Sequence, residues 1–311
     1  MNGMSAGTTM RLTAGGNKLD LSSDRFGFLA DSTPLIPDAD LLRQRMETDG
    51  YLFLPGFLDR NEVVAARHAI CEELAKEDLL DPESPVDCAI AKKDLKTAFR
   101  RDIANNDGAG VLIRNIIYGE RVVNFFSHFL GGEATHYDFT WMRTVSPGVG
   151  SPAHCDIIFM GRGTKHLYTA WVPFGDIPLH VGGLLLVEGS HHNEQVNKSY
   201  CTMDYDTACH NPNGKHPLVS AGFYESGAIS DDMPELRNYL GGRFLTAEEY
   251  KMGDILIFST YLVHGSLDNA SDQIRLSTDS RYQLASEPLD ERWVGEKPPG
   301  HGGESVKNVI C

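Results

Sequence analysis

The sequence predicts a mainly β protein, a double-stranded β-helix or jelly roll with supporting helices. From about residue 135 onward the chain breaks into short extended stretches punctuated by Gly, Pro, Asp and Asn. Ahead of that point lie amphipathic helical stretches suited to packing on a sheet. No internal repeat or low-complexity tract interrupts the pattern.

Residues 1–38 are rich in Gly, Ser, Thr and Asp without sustained periodicity, and are expected to form a flexible N-terminal arm. The stretch Gly50-Tyr-Leu-Phe-Leu-Pro55 reads as a strand. A helix is expected over Leu58 to Leu74, with Asp59 as N-cap and Glu62 at the capping-box position. Val63, Ala66, Ile70 and Leu74 fall on one face of it. A second helix, Glu120 to Leu130, stops at Gly131-Gly132. Extended segments are then expected at Thr135–Arg143, His154–Met160, Leu167–Pro173, Gly183–Val187, Asp254–Val263 and Arg275–Leu284. Residues 190–250, with Pro212, Pro217, Pro234 and several glycines, form a long insertion of the kind used as a lid. The expected division is therefore an arm (1–38), a jelly-roll domain (39–290) carrying the lid-like insertion (190–250), and a C-terminal tail (291–311).

Composition narrows the function classes. The 311 residues are 41% apolar and 23% charged, as in a soluble globular protein. A net charge of −15 argues against nucleic-acid or anionic-membrane partners and weakens a polyanionic substrate. Runs such as Gly183–Val187 are too short to span a bilayer, and no secretory signal is visible. Six cysteines (71, 88, 155, 201, 209 and 311) show no CxxC pair, which suggests reduced thiols in a cytoplasm. Oligomeric state leaves no signal.

Four polar residues carry the chemistry: His154 and Asp156, then His264 and Arg275. Side chains at i and i+2 of a strand share a face, so His154 and Asp156 can converge on one ion while Cys155 points away. A third ligand must come from another strand, and His264, at the end of an apolar run opening with Gly253-Asp254, supplies it. Two imidazoles and a carboxylate suit Fe(II) and also Zn(II). Other conspicuous residues have ordinary readings. Ser277 is as readily a strand hydroxyl on backbone as a carboxylate ligand. His191 and His192 sit in a surface turn, Cys155 is a small buried residue, and His136, Tyr137 and Trp141 are core positions. No GxSxG, P-loop or dinucleotide fingerprint occurs in a credible setting.

The chain resembles the phytanoyl-CoA dioxygenase family of Fe(II)- and 2-oxoglutarate-dependent oxygenases, a cupin-like fold. The matching motifs are His154-Cys155-Asp156, Trp171, Gly189-Ser190-His191, Gly253-Asp254, His264-Gly265-Ser266 and Arg275. The likeness runs over roughly residues 40–285, including the opening Gly50 to Leu58. It implies Fe(II) on His154, Asp156 and His264, which are thereby the catalytic residues. It implies 2-oxoglutarate with its distal carboxylate on Arg275 and Ser266, Trp171 beside it, and Met142 lining the same pocket. O2 is the remaining co-substrate. The implied reaction is oxidation, by default hydroxylation, of a small organic molecule with release of succinate and CO2. Natural-product or secondary metabolism is the expected setting. Asp156 disfavours halogenation, since halogenating relatives put a small residue there. The alternatives are an acyl-CoA hydroxylase of the same family, and a jelly-roll metal enzyme without 2-oxoglutarate, such as a cupin-like isomerase or dioxygenase.

Overall fold

The structure, a computed structural model, describes residues 11–96, 100–208 and 226–301. Its strands in chain order are β1 (Thr13–Ala14), β2 (Asn17–Lys18), β3 (Phe26–Phe28), β4 (Tyr51–Leu54), β5 (Ala134–His136), β6 (Trp141–Val145) and β7 (Tyr168–Pro173). They continue as β8 (Ile177–Pro178), β9 (Leu184–Val187), β10 (Phe244–Thr246), β11 (Glu249–Tyr250), β12 (Ile255–Ser259), β13 (His264–Ser266) and β14 (Arg275–Leu284). The helices are α1 (Ala39–Asp49), α2 (Arg60–Lys76), α3 (Arg101–Asn105), α4 (Ala109–Ile117), α5 (Glu120–Leu130), α6 (Ile157–Met160), α7 (Glu194–Lys198), α8 (Tyr205–Ala208) and α9 (Met233–Leu240).

Two sheets face each other. The larger has the order β4-β12-β7-β14-β5, with β6 also paired to β14, and every pairing is antiparallel. The smaller has the order β13-β9-β10-β3, the last pair being parallel. Alternation along the strands sorts the side chains into layers. On the outer face of the larger sheet, Ala170, Val172, Ile255, Ile257, Leu276 and Tyr282 pack with α2 and α5. Between the sheets, Tyr51, Phe53, Trp171, Leu256 and Phe258 meet Leu184, Leu186 and Leu245. Behind the smaller sheet, Leu185, Val187 and Phe244 are covered by Leu12, Leu19, Val196, Tyr200 and Met233. The fold is the expected jelly roll with helical support, although the sheets are not closed into a barrel.

Local signals explain several elements. Asp59 caps α2 by accepting from the Asn61 amide, and Val63, Ala66, Ile70 and Leu74 are all buried. Gly131 ends α5 with φ of 77°, the left-handed conformation that glycine adopts without steric cost.

Elsewhere the structure departs from expectation. The stretch 135–143 is two strands, because Asp138 and Phe139 leave the sheet to bond the Trp293 carbonyl. His154–Met160 is not a strand. His154 makes one bridge with His264, Asp156 is helical (φ −63°, ψ −27°), and the apolar Ile-Ile-Phe-Met run is α6. A short run buried on all sides carries no periodicity to separate strand from helix. The run ending at His264 breaks at Ser259, so His264 opens β13 in the other sheet.

From residue 11 onward the segment read as an arm is packed. Leu12, Ala14, Leu19 and Phe26 are buried, and β3 joins the smaller sheet. Within 190–250, α7, α8 and α9 form, and 244–250 contribute β10 and β11 to sheets. Pro234 lies in the first turn of α9, where its missing N–H costs nothing. Cys209, Pro212, Pro217 and Cys311 lie outside the described residues.

Candidate metal centre

His154, Asp156 and His264 converge, all three buried, with their ligand atoms within 4.8 Å of one another. Asp156 Oδ1 lies 3.6 Å from His154 Nε2 and 3.7 Å from His264 Nε2. The backbone places the two histidines. His154 N donates to His264 O at 2.9 Å and His264 N returns a bond to His154 O at 3.0 Å. Asp156 reaches the same point by the helical turn after Cys155, not by strand alternation.

Hydrogen bonding fixes which imidazole nitrogens are free. His154 Nδ1 lies 2.9 Å from the Pro152 carbonyl, and His264 Nδ1 lies 2.9 Å from the Leu262 carbonyl. Carbonyls only accept, so both Nδ1 atoms carry the proton and both Nε2 lone pairs face inward. Burial, followed by the neighbouring His264, holds His154 well below the ordinary histidine value, and burial also lowers His264. Both rings are thus neutral donors at neutral pH. Burial pushes the Asp156 carboxyl up, but Arg281, the two imidazoles and the Thr169 hydroxyl outweigh it and hold it well below the usual range. His154 Nε2 and Asp156 Oδ1 are buried without a hydrogen-bond partner. A divalent cation fits this set, since buried polar atoms left unanswered are costly.

Arg275 carries a second set of unanswered buried donors. Arg275 is buried on β14, and one NH group donates to the Gly182 carbonyl. Its Nε and other NH group have no partner, and neither do Ser277 Oγ and Trp171 Nε1. Burial, then Arg143, pulls the Arg275 guanidinium down to about 10, so it stays a cation at neutral pH. A planar fork with two unanswered donors fits a carboxylate. Ser266 lies on β13, where its hydroxyl oxygen accepts from the Ser151 amide at 2.8 Å. Trp171 lies between the sheets.

Met142 does not join this site. It sits in the helix-side core with Ala170, Val172 and Leu276, because alternation along β6 turns it away from Trp141 and Arg143. Four residues that sequence reasoning passed over are present instead. Arg281 Nη2 lies 3.0 Å from Asp156 Oδ2, and Thr169 donates to the same oxygen. Arg143 and Asp279 form a buried ion pair. Asp279 and Arg281 have a sequence signal in the period-two polar row Arg275, Ser277, Asp279, Arg281 on β14, whereas Thr169 and Arg143 lie on β7 and β6 outside it.

Two motifs turn out to be supports. Ser190 Oγ accepts from the Val263 amide at 2.9 Å, steadying the residue before His264. His191 and His192 both reach the Glu47 carbonyl, away from the triad. Asp254 accepts from the Gly56 and Lys251 amides.

Comparison with known proteins bears on the family and the fold. A family model described as Phytanoyl-CoA dioxygenase (PhyH) matches residues 46–277. A 1-deoxypentalenic acid 11-beta-hydroxylase of Streptomyces arenae is 25% identical over 274 residues, covering 85% of this chain and 88% of the relative. Among solved structures, the non-heme alpha ketoglutarate dependent epimerase SnoN from nogalamycin biosynthesis superposes with a TM-score of 0.54 at 18% identity, covering 88% of this chain and 94% of that one. EctD from S. alaskensis with bound Fe superposes with a TM-score of 0.53 at 19% identity, covering 94% and 92%. At such identities these likenesses show the jelly-roll fold.

Proposed function

Because this chain belongs to the phytanoyl-CoA dioxygenase family, and is thereby a 2-oxoglutarate-dependent non-haem iron oxygenase, we propose that it hydroxylates a small organic molecule of natural-product metabolism. The observation that carries this reading is the pair of unanswered buried groups: the inward faces of His154 and Asp156, and the free donors of Arg275. The first would hold Fe(II) with His264. The second would hold the distal carboxylate of 2-oxoglutarate, with Ser266, Ser277 and Trp171 around it. When bound, iron, 2-oxoglutarate and O2 would supply the oxidising power for placing one oxygen atom in a substrate C–H bond, the other leaving in succinate beside CO2.

The protein's own part is placement and exclusion. The two backbone-anchored imidazoles present lone pairs without needing to lose a proton. Arg275 orients the co-substrate from one end, and the apolar layer of Leu184, Leu186 and Leu256 keeps water out of the inter-sheet space. Of the described parts of residues 190–250, α7, α8 and α9 would cover the substrate. The relative named for 1-deoxypentalenic acid supports a compact natural product over an acyl-CoA ester, as does the charge of −15. Asp156 occupies the place that a halide would need. No described helix is long and apolar enough to cross a membrane, and the free Cys71, Cys88, Cys155 and Cys201 suit a cytoplasmic protein.

The experiment is succinate release from 2-oxoglutarate, assayed with Fe(II) and O2 over a panel of small carboxylic acids that includes 1-deoxypentalenic acid. Release that requires both Fe(II) and 2-oxoglutarate and is stimulated by a panel member supports the reading. Oxidation of a substrate without 2-oxoglutarate would establish the cupin-like alternative.

A further inference from the structure

We propose that Arg281 is a positioning residue that, together with Thr169, restricts Asp156 to offering a metal ion one oxygen, Oδ1. The inference rests on Asp156 being a metal ligand.

The two oxygens of Asp156 stand in unlike surroundings. Oδ2 faces Arg281 Nη2 at 3.0 Å and also accepts from the Thr169 hydroxyl. Oδ1 has no hydrogen-bond partner and faces both imidazole Nε2 atoms. Arg281 and Thr169 lie directly opposite each other across β14 and β7, so both side chains rise from one face to the same oxygen. The guanidinium is held on its other sides as well. Its Nε lies 3.0 Å from Met160 Sδ, and its carbon lies 4.5 Å from the centre of the Trp141 ring. It is fully buried. A carboxylate with both oxygens free can chelate a cation through both. Here one is occupied, so the triad would take three coordination positions of a metal and leave the others open.

The test titrates the metal-free full chain with Mn(II), reading the free ion by its electron paramagnetic resonance signal, alongside thermal midpoints. Arg281→Met is expected to weaken Mn(II) binding about 10- to 100-fold, the usual cost of losing an outer partner of a ligand, because the carboxylate is no longer aimed and chelation through the released Oδ2 offsets only part of that loss. Arg281→Lys should recover part of that loss, and Thr169→Val should shift binding in the same direction as Arg281→Met. Added to Asp156→Ala, Arg281→Met should change affinity less than about threefold, because its effect passes through the carboxylate. Wild-type affinity in folded Arg281→Met, or the full loss repeated in the Asp156→Ala background, would overturn the proposal. Should Arg281→Met not fold, wild-type affinity in both Arg281→Lys and Thr169→Val overturns it. If Asp156→Ala itself leaves Mn(II) binding unchanged, the metal assignment fails, a different result from Arg281 variants that alone are silent.

Discussion

Replacing Arg275 by alanine should raise the 2-oxoglutarate concentration needed for half-maximal succinate release by about 30- to 4,000-fold. The magnitude follows from the position of the guanidinium. Arg275 is 1% exposed, so a carboxylate meeting it is desolvated along with it. One NH group is spent on the Gly182 carbonyl, leaving Nε and the other NH group for the ligand. Truncating one partner of a buried, hydrogen-bonded charge pair costs about 2–5 kcal/mol, and each 1.4 kcal/mol is roughly tenfold. Binding can be read separately from turnover through thermal stabilisation. At about 100 times its Kd a ligand adds roughly 2.7 kcal/mol of stability. If alanine weakens binding about 100-fold, the same concentration adds only about 0.4 kcal/mol. Arg275→Lys keeps the charge but loses the fork, and should fall between the two. A folded Arg275→Ala enzyme with unchanged 2-oxoglutarate dependence and unchanged thermal stabilisation would show that another cation holds the co-substrate.

Three further outcomes are expected. Asp156→Ala should abolish substrate oxidation while circular dichroism reports a folded chain; retained hydroxylation with unchanged Fe(II) affinity would refute the ligand assignment. Metal-free protein should lose stability as pH falls below the ordinary histidine value of 6.5, because unfolded His154 and His264 take up protons that the buried rings refuse. Thermal midpoints from pH 7.5 to 5 check this, and a His154→Gln, His264→Gln variant with the same slope would contradict it. Met142→Ala should cost about 2–5 kcal/mol of stability, as truncation in a packed core does, with no change in the KM for 2-oxoglutarate. A raised KM without destabilisation would return Met142 to the pocket.

The elements legible in the sequence are those with a complete local signal. Asp59 with the face Val63, Ala66, Ile70 and Leu74 marks α2, and Gly131 marks the end of α5. The span of β14 could be read to the residue. Misreadings fall where local signals are silent. Thr260-Tyr-Leu-Val263 turns the chain from one sheet to the other without a glycine or proline, so His264 looked like the end of a strand that it does not belong to. Met142 was misplaced because both faces of β6 are buried, and hydrophobicity then cannot say which parity points inward. The triad itself was found through residue type and order, which survive a wrong local conformation at Asp156. The polar row of β14 marks Arg281 but not what it binds. Its partner depends on the register of β14 against β7, which no local window contains.

The mutual bond between His154 and His264 also has a consequence in time. The pair joins residues 110 positions apart, so it can form only after the chain has closed a long loop, a step that contact order makes late. A chain still emerging from the ribosome, complete through Asp156 but lacking β13, holds two of the three ligands and no scaffold to orient them. A metal held by this triad would therefore load only after the whole jelly roll has folded. A pulse of metal during synthesis should then leave nascent chains unloaded, the finished domain being the ready-made receptor.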